Sequence, residues 1–156
     1  MTNPFPPDWQ LRPVVAADRN FLFDMHRQTM FEYVDAVWGW DDEVQNRFFD
    51  DRFVLDGRRQ IVRVDDQDVG MVEIREEPNR LVLANIRILP QWQSRGLGRA
   101  IIRSLLARAA VTQRPVVLSV LKVNSRARRL YEREGFLVVG ETPTNFHMQA
   151  EPPTSG

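Results

Sequence analysis

The sequence contains no cysteine, and that gap removes several chemistries at once. Disulfides, thiolate nucleophiles and cysteine metal sites are all excluded. Histidine is nearly as scarce. His26 and His147 are the only two, too few for a histidine-rich metal centre, so no metal is expected. An excess of one charge is also missing, because 21 basic side chains stand against 21 acidic ones. A nucleic-acid binder ordinarily carries a basic surplus, so no nucleic-acid partner is expected. No stretch reaches the roughly 20 apolar residues that cross a bilayer. The opening "MTNPFPPDWQ" lacks the positive head and apolar run of a secretion signal. The expectation is a cytoplasmic protein with no membrane partner.

The 156 residues, 43% of them hydrophobic, suffice for one domain with a buried core. That domain is expected over residues 1–156, with a flexible arm at 1–9 and a flexible tail at 151–156. "LRPVVAADRN" reads as a strand over Gln10–Ala16, with Asp18 placed to cap the helix of "NFLFDMHRQTMFEYVDAVW". Gly39 interrupts that helix. Asp42, with Gln45 three residues on, opens a second helix to about Asp51. "QIVRV", "VGMVEIRE" and "RLVLANIRI" are β-rich runs separated by turn sequences, hence three antiparallel strands. "GLGRAIIRSLLARAAVTQ" returns to helical spacing and buries Leu97, Ile101, Ile102, Leu105, Leu106 and Ala109. "VVLSVLKV" is apolar enough for a buried strand. "SRARRLYERE" is a short helix capped by Ser125 and closed by Gly135, and "FLVVGE" and "NFHMQA" are the last strands. The order is βααβββαβαββ, a mixed α/β fold.

Two glycines in "QWQSRGLGRA" raise the question of a phosphate loop. Gly96-x-Gly98 lacks the third small residue of a dinucleotide fingerprint and the acidic residue about 20 positions later. Gly-Lys-Ser/Thr is absent, and so are the kinase motifs. What remains is Gln93-x-x-Gly96-x-Gly98 between a strand and a helix. There the free N–H groups of the first helical turn and the positive dipole end make a socket for pyrophosphate, with Arg95 and Arg99 adding charge. A second motif follows in "NSRARRLYEREGF": Asn124-x-x-Ala127-x-x-Leu130-Tyr131, then Gly135-Phe136. In this order and at this separation, over about Leu81–Phe136, the pair resembles the GNAT superfamily of acyl-CoA-dependent N-acyltransferases.

The resemblance implies a mostly antiparallel sheet flanked by helices, acetyl-CoA as cosubstrate, and an N-acetyltransferase acting on a primary amine. It implies that Gln93, Ser94, Arg95, Gly96, Leu97, Gly98 and Arg99 grip the pyrophosphate. Residues 86–88, from Ile86 to Ile88, would offer a free strand edge to the pantetheine arm where "LANIRIL" splays from "VVLSVLKV". Asn124 and Ala127 belong to the same cofactor site. The Ile88 N–H would polarise the thioester carbonyl, and Tyr131 would protonate the departing sulfur.

The general base is less clear, because "LVLAN" carries no carboxylate where several members of the family place one. Glu73, projecting from the opposite face to Val72 and Ile74, is the best substitute, the alternative being a surface-strand glutamate paired with Arg75 or Arg87. Asn85 could position a water, and Glu32 is a further carboxylate. The wall of the acceptor pocket is expected from "FEYVDAVWGWDDEVQNRFFDD", where Trp38 and Trp40 sit among acidic residues suited to a cationic amine. The acceptor, a small molecule or a peptide, is not written in the sequence. Neither is the choice between monomer and homodimer. Two other classes stay open: a catalytically weak acyl-CoA-binding module, and an interaction domain without cofactor.

Overall fold

The computed structural model describes residues 7–153. Most of the arm and tail expected to be flexible, residues 1–6 and 154–156, lies outside that range. The remaining arm residue Trp9 packs half-buried against the main core.

The elements follow the expected order. They are β1 (Gln10–Pro13), α1 (Arg19–Trp38), α2 (Asp42–Asp51), β2 (Arg59–Val64), β3 (Gln67–Glu77), β4 (Arg80–Ile88), α3 (Leu97–Val111), β5 (Val116–Leu121), α4 (Ser125–Arg133), β6 (Leu137–Glu141) and β7 (Asn145–Ala150). All seven strands share one sheet, ordered β1-β2-β3-β4-β5-β7-β6. Every pairing is antiparallel except that of β4 with β5.

Three helix starts differ from expectation. Asp18 precedes α1 but does not cap it. Its carboxylate is taken by the Arg12 guanidinium through two 2.9 Å bonds and by the Val15 N–H at 2.8 Å. Arg12 holds that carboxyl below its ordinary value. Asp41 rather than Asp42 caps α2, accepting the Val44 N–H at 3.0 Å. Asn124 rather than Ser125 caps α4, accepting the Ala127 N–H at 3.1 Å. Strand β1 is also shorter than expected, because the chain turns through Ala16–Asp18 before α1.

Alternation along the strands divides the core between the two faces of the sheet. On one face Val62, Val72, Leu81, Leu118 and Met148 pack under α3 and α4. Ile102 and Phe136 are fully buried there, each contributing about 1.5–3 kcal/mol. On the other face Ile61, Met71 and Leu89 pack against Leu22 and Met25 of α1.

Strand β4 changes sides midway. Glu73 pairs with Asn85 but Ile74 pairs with Leu83, so Ala84 is a bulge. Its residues in the α3 core are therefore Leu81 and Leu83 before the bulge, then Ile86 and Ile88 after it. A bulge bends its strand and increases the local twist. That bend separates β4 from β5, which pair only through Leu81↔Val116 and Val82↔Val117. Beyond those two rungs β5 continues along β7, and β4 continues along β3. The sheet opens into a V.

Candidate functional site

The mouth of the V is closed by three segments: the end of β4, the loop into α3, and α4. The Ile86 carbonyl accepts from Arg87 Nη1 at 3.0 Å, and the Ile88 carbonyl from Gln93 Nε2 at 2.9 Å. Both carbonyls thus bond to side chains instead of to a strand. Strand β4 ends at Ile88, and after one further bond from the Leu89 N–H to the Val69 carbonyl at 2.9 Å the chain leaves the sheet at Pro90.

Beyond Pro90 the chain is shaped by two residues in left-handed backbone, Ser94 (φ 63°) and Gly96 (φ 83°). Gly96 occupies the position before the first residue of α3, where a side chain would cost about 1–2 kcal/mol in that conformation. No side chain caps α3. Among the described residues, the backbone N–H groups of residues 94–99 have no hydrogen-bond partner. A run of free donors at a helix start is an anion socket.

The arginines around this socket are arranged differently from the expectation. Arg95 stacks over the Trp92 ring at 4.7 Å. Arg99 shares the largely buried Glu134 carboxylate with Arg103, at 3.4 and 2.7 Å. The residue that reaches into the loop is Arg126, which the sequence reading missed. It donates to Gln93 Oε1 at 2.6 Å and to Ser94 Oγ at 3.0 Å, linking α4 through Gln93 to the end of β4. Its place two residues after Asn124 was the available signal. Only the folded loop shows what it meets.

Asn124 spends its side-chain oxygen on the Ala127 N–H, and its amide donors have no partner among the described residues. Leu97 is buried, and a Cβ at Gly98 would meet Leu130 of α4 at 3.5 Å, so the helix start faces α4 closely. Tyr131 is 8% exposed and packs its ring against Phe136 at 5.8 Å. Its hydroxyl makes no hydrogen bond among the described residues. Burial pushes that hydroxyl above its ordinary pKa, and the Arg87 charge partly opposes the rise.

Glu73 and Asn85 are brought together, as their cross-strand register requires. Asn85 Nδ2 donates to Glu73 Oε1 at 2.7 Å, and Arg59 Nε approaches the same oxygen at 3.3 Å. Oε2 accepts no hydrogen bond among the described residues. Arg87 Nη2 donates to Asn85 Oδ1 at 2.8 Å. Arg59 was not singled out in the sequence, and Arg87 was weighed there as an ion-pair partner of Glu73, whereas it bonds to Asn85 and Arg59 takes the Glu73 carboxylate. Alternation fixes the face of Glu73, but the register across β2, β3 and β4 that brings Asn85 to it is not readable from a single chain.

The expected aromatic and acidic wall is largely occupied by its own contacts. Trp40 packs against Phe31 at 5.1 Å and His26 at 5.5 Å, and its Nε1 donates to Asp42 at 2.8 Å. Asp35 accepts the Trp40 N–H, Asp41 caps α2, and Glu43 pairs with Arg47. Trp38 is 62% exposed with no aromatic neighbour among the described residues, so the two indoles do not form a joint cage. Glu32 is exposed on α1. His147 is exposed on β7, opposite Ser119.

His26, noted in the sequence only as one of two histidines, bridges α1 and α2 through Gln45 at 3.0 Å, among Phe23, Trp40 and Phe49. Burial lowers its pKa, Gln45 opposes this, and the Arg87 and Arg59 charges lower it further. The folded state therefore favours neutral imidazole. The stability this contributes is present above the ordinary histidine value of about 6.5 and is lost as pH falls through the lower folded value. Thermal melts from pH 7.5 to 5 should show a larger loss for the wild type than for His26→Gln. Parallel pH dependence in the two proteins would assign the loss to other groups.

The sequence matches the profile of the Acetyltransferase (GNAT) family over residues 20–136. Solved structures with the same fold include the PaiA N-acetyltransferase of Thermoplasma acidophilum in complex with coenzyme A. That comparison has 14% identity and a TM-score of 0.75, and covers 92% of this chain and 99% of that one. An acetyltransferase of Thermus thermophilus gives 21% identity, TM-score 0.73, and coverage of 94% and 99%. The ribosomal-protein-S18-alanine N-acetyltransferase of Escherichia coli gives 17%, 0.68, 96% and 97%. No curated protein matches the sequence.

Proposed function

The chain belongs to the GNAT acetyltransferase family, and from that premise we propose that it transfers an acetyl group from acetyl-CoA to a primary amine. One observation carries the reading: the uncapped start of α3, with the N–H groups of residues 94–99 unpaired, lies beside the free end of β4. Those groups fit a pyrophosphate, and the Ile86–Ile88 edge fits the amide-bearing pantetheine arm. Asn124 offers its free amide donors to the same arm. Two similar proteins are N-acetyltransferases by description, one of them in complex with coenzyme A.

The residues divide the chemistry as follows. The Ile88 N–H polarises the thioester carbonyl as the amine nitrogen bonds to its carbon. The carbon–sulfur bond then breaks, and Tyr131 gives its proton to the sulfur. Glu73 takes the amine proton on Oε2, directly or through a water held by Asn85. That proton balances the one Tyr131 has given up once it returns to the phenolate through solvent.

The test is an amine panel with acetyl-CoA, read by thiol release. Glu73→Gln should lower the rate by ~10-fold or more. The loss should ease as pH rises and more of the amine is already neutral. A pH-independent loss would leave Glu73 as a structural partner of Arg59. A second reading, an acyl-CoA-binding module with weak turnover, is favoured by the Arg59 and Asn85 contacts that occupy one oxygen of Glu73. Under that reading, coenzyme A binds but no amine releases thiol.

A further inference from the structure

Arg87 is a cation in an unusual position. It is half-buried on β4 between Ile86 and Ile88, on the same face as Met71, Glu73 and Asn85. Its hydrogen bonds go to neutral groups, the Ile86 carbonyl and Asn85 Oδ1. It forms no ion pair among the described residues. The nearby carboxylate of Glu73 is already matched by Arg59. The cluster of Arg59, Glu73 and Arg87 therefore keeps one positive charge in excess.

Its titratable neighbours His26 and Tyr131 do not offset the surplus. His26 is held toward its neutral form, and the Tyr131 hydroxyl toward its protonated one. The carboxylates of the Phe31–Glu43 segment with recorded partners, such as Asp35 and Asp42, are committed elsewhere. Burial lowers the Arg87 guanidinium below its ordinary value, with Tyr131 and Glu73 opposing and Arg59 adding to the effect. A partly desolvated charge without a counterion is costly to keep. Of its five N–H donors, the two hydrogen bonds commit two, and the remaining three can donate to a carboxylate.

We infer that the acceptor carries a carboxylate near its amine, as an amino acid does, and that Arg87 binds that carboxylate beside the Ile88 end of β4. The inference rests on the acetyltransferase reading for the identity of the amine. It favours small amino acids over polyamines and other purely cationic amines. Binding the carboxylate would neutralise the excess charge and point the amine toward the mouth of the V.

The experiment compares acids with their amides, which lack that charge. In the binding arm, N-acetylglycine, N-acetylmethionine and N-acetylphenylalanine are tested against their primary amides by thermal shift with coenzyme A present. In the turnover arm, the free amino acids are tested against the amino-acid amides. The expected result is stabilisation by the acids alone and a kcat/KM preference of tenfold or more for acids. Arg87→Gln should erase both, and Arg87→Lys should keep part. Equal or better use of amides by the wild type would overturn the inference, as would a preference unchanged in Arg87→Gln. If Arg87→Gln does not fold, the wild-type ratio decides alone. If no amine releases thiol, the acetyltransferase reading fails, and the binding arm still decides whether an acid is preferred.

Discussion

Gly98→Asp should bind no coenzyme A while folding at least as stably as the wild type. Residue 98 lies in the first turn of α3, and a Cβ there would stand 3.5 Å from Leu130 Cδ2, an ordinary contact. Replacing glycine in a helix gains a few tenths of a kcal/mol, and an acid in the first turn gains about 0.3–1 kcal/mol from the dipole. The same charge would face any phosphate held by the N–H groups of residues 94–99. Two like charges ~4 Å apart at an effective dielectric of ~20 repel by about 4 kcal/mol, on the order of a thousandfold in affinity. In the wild type, coenzyme A at ~100 times its Kd should add about 2.7 kcal/mol, some 5–10 °C in Tm for a chain of this size. Gly98→Asp should show none of that shift, and Gly98→Ala should keep most of it. An unchanged shift in the aspartate variant would place the phosphates elsewhere.

The fold was legible in the sequence because most of its information is periodic. The runs "RLVLANIRI" and "AIIRSLLARAA" declare their period within a few residues, and the order of elements follows from them. The helix starts were less legible. Asp41 and Asp42 are chemically equivalent as caps, and only backbone geometry selects the first. Asp18 was drawn away from capping by Arg12, a partner brought to it by the turn between β1 and α1. The bulge at Ala84 left one trace, a shift of the inward residues from 81 and 83 to 86 and 88. With "LVLANIRI" so rich in apolar side chains, neither face could be assigned beforehand.

The candidate site divides along the same line. Its loop half is local in the chain, so glycine spacing and the Asn124–Tyr131 helix could point to it. The Glu73–Asn85–Arg87–Arg59 group is assembled by register between three strands, with bonded partners up to 14 positions apart. Residue type alone could nominate Glu73 and Asn85, but not the arginine that one of them meets. The aromatic segment misled for a related reason. A tryptophan on either side of a glycine suits a cage, yet the backbone at Gly39 (φ 77°) leaves Trp38 outside and turns Trp40 back onto His26 and Phe31.

Tyr131→Phe should separate chemistry from packing more cleanly than any other substitution in this chain. The ring is buried against Phe136, and phenylalanine keeps that contact. Among the described residues the hydroxyl has no hydrogen bond to lose, so the variant should melt within a degree or two of the wild type and bind coenzyme A with the same affinity. What it loses is a proton. Burial raises the hydroxyl above its ordinary value of about 10, so the phenol stays protonated through the neutral range even though Arg87 pulls the other way. A protonated donor in a desolvated site is what a departing thiolate needs, and a positioned acid contributes ~10²-fold or more. The turnover number should fall by that factor while KM for acetyl-CoA holds. The loss should be largest for unactivated thioesters and smaller for an acetyl donor whose leaving thiol is already acidic, because a good leaving group needs less protonation. Full activity in Tyr131→Phe, or a loss indifferent to the leaving group, would return the residue to the core and require another source for the proton.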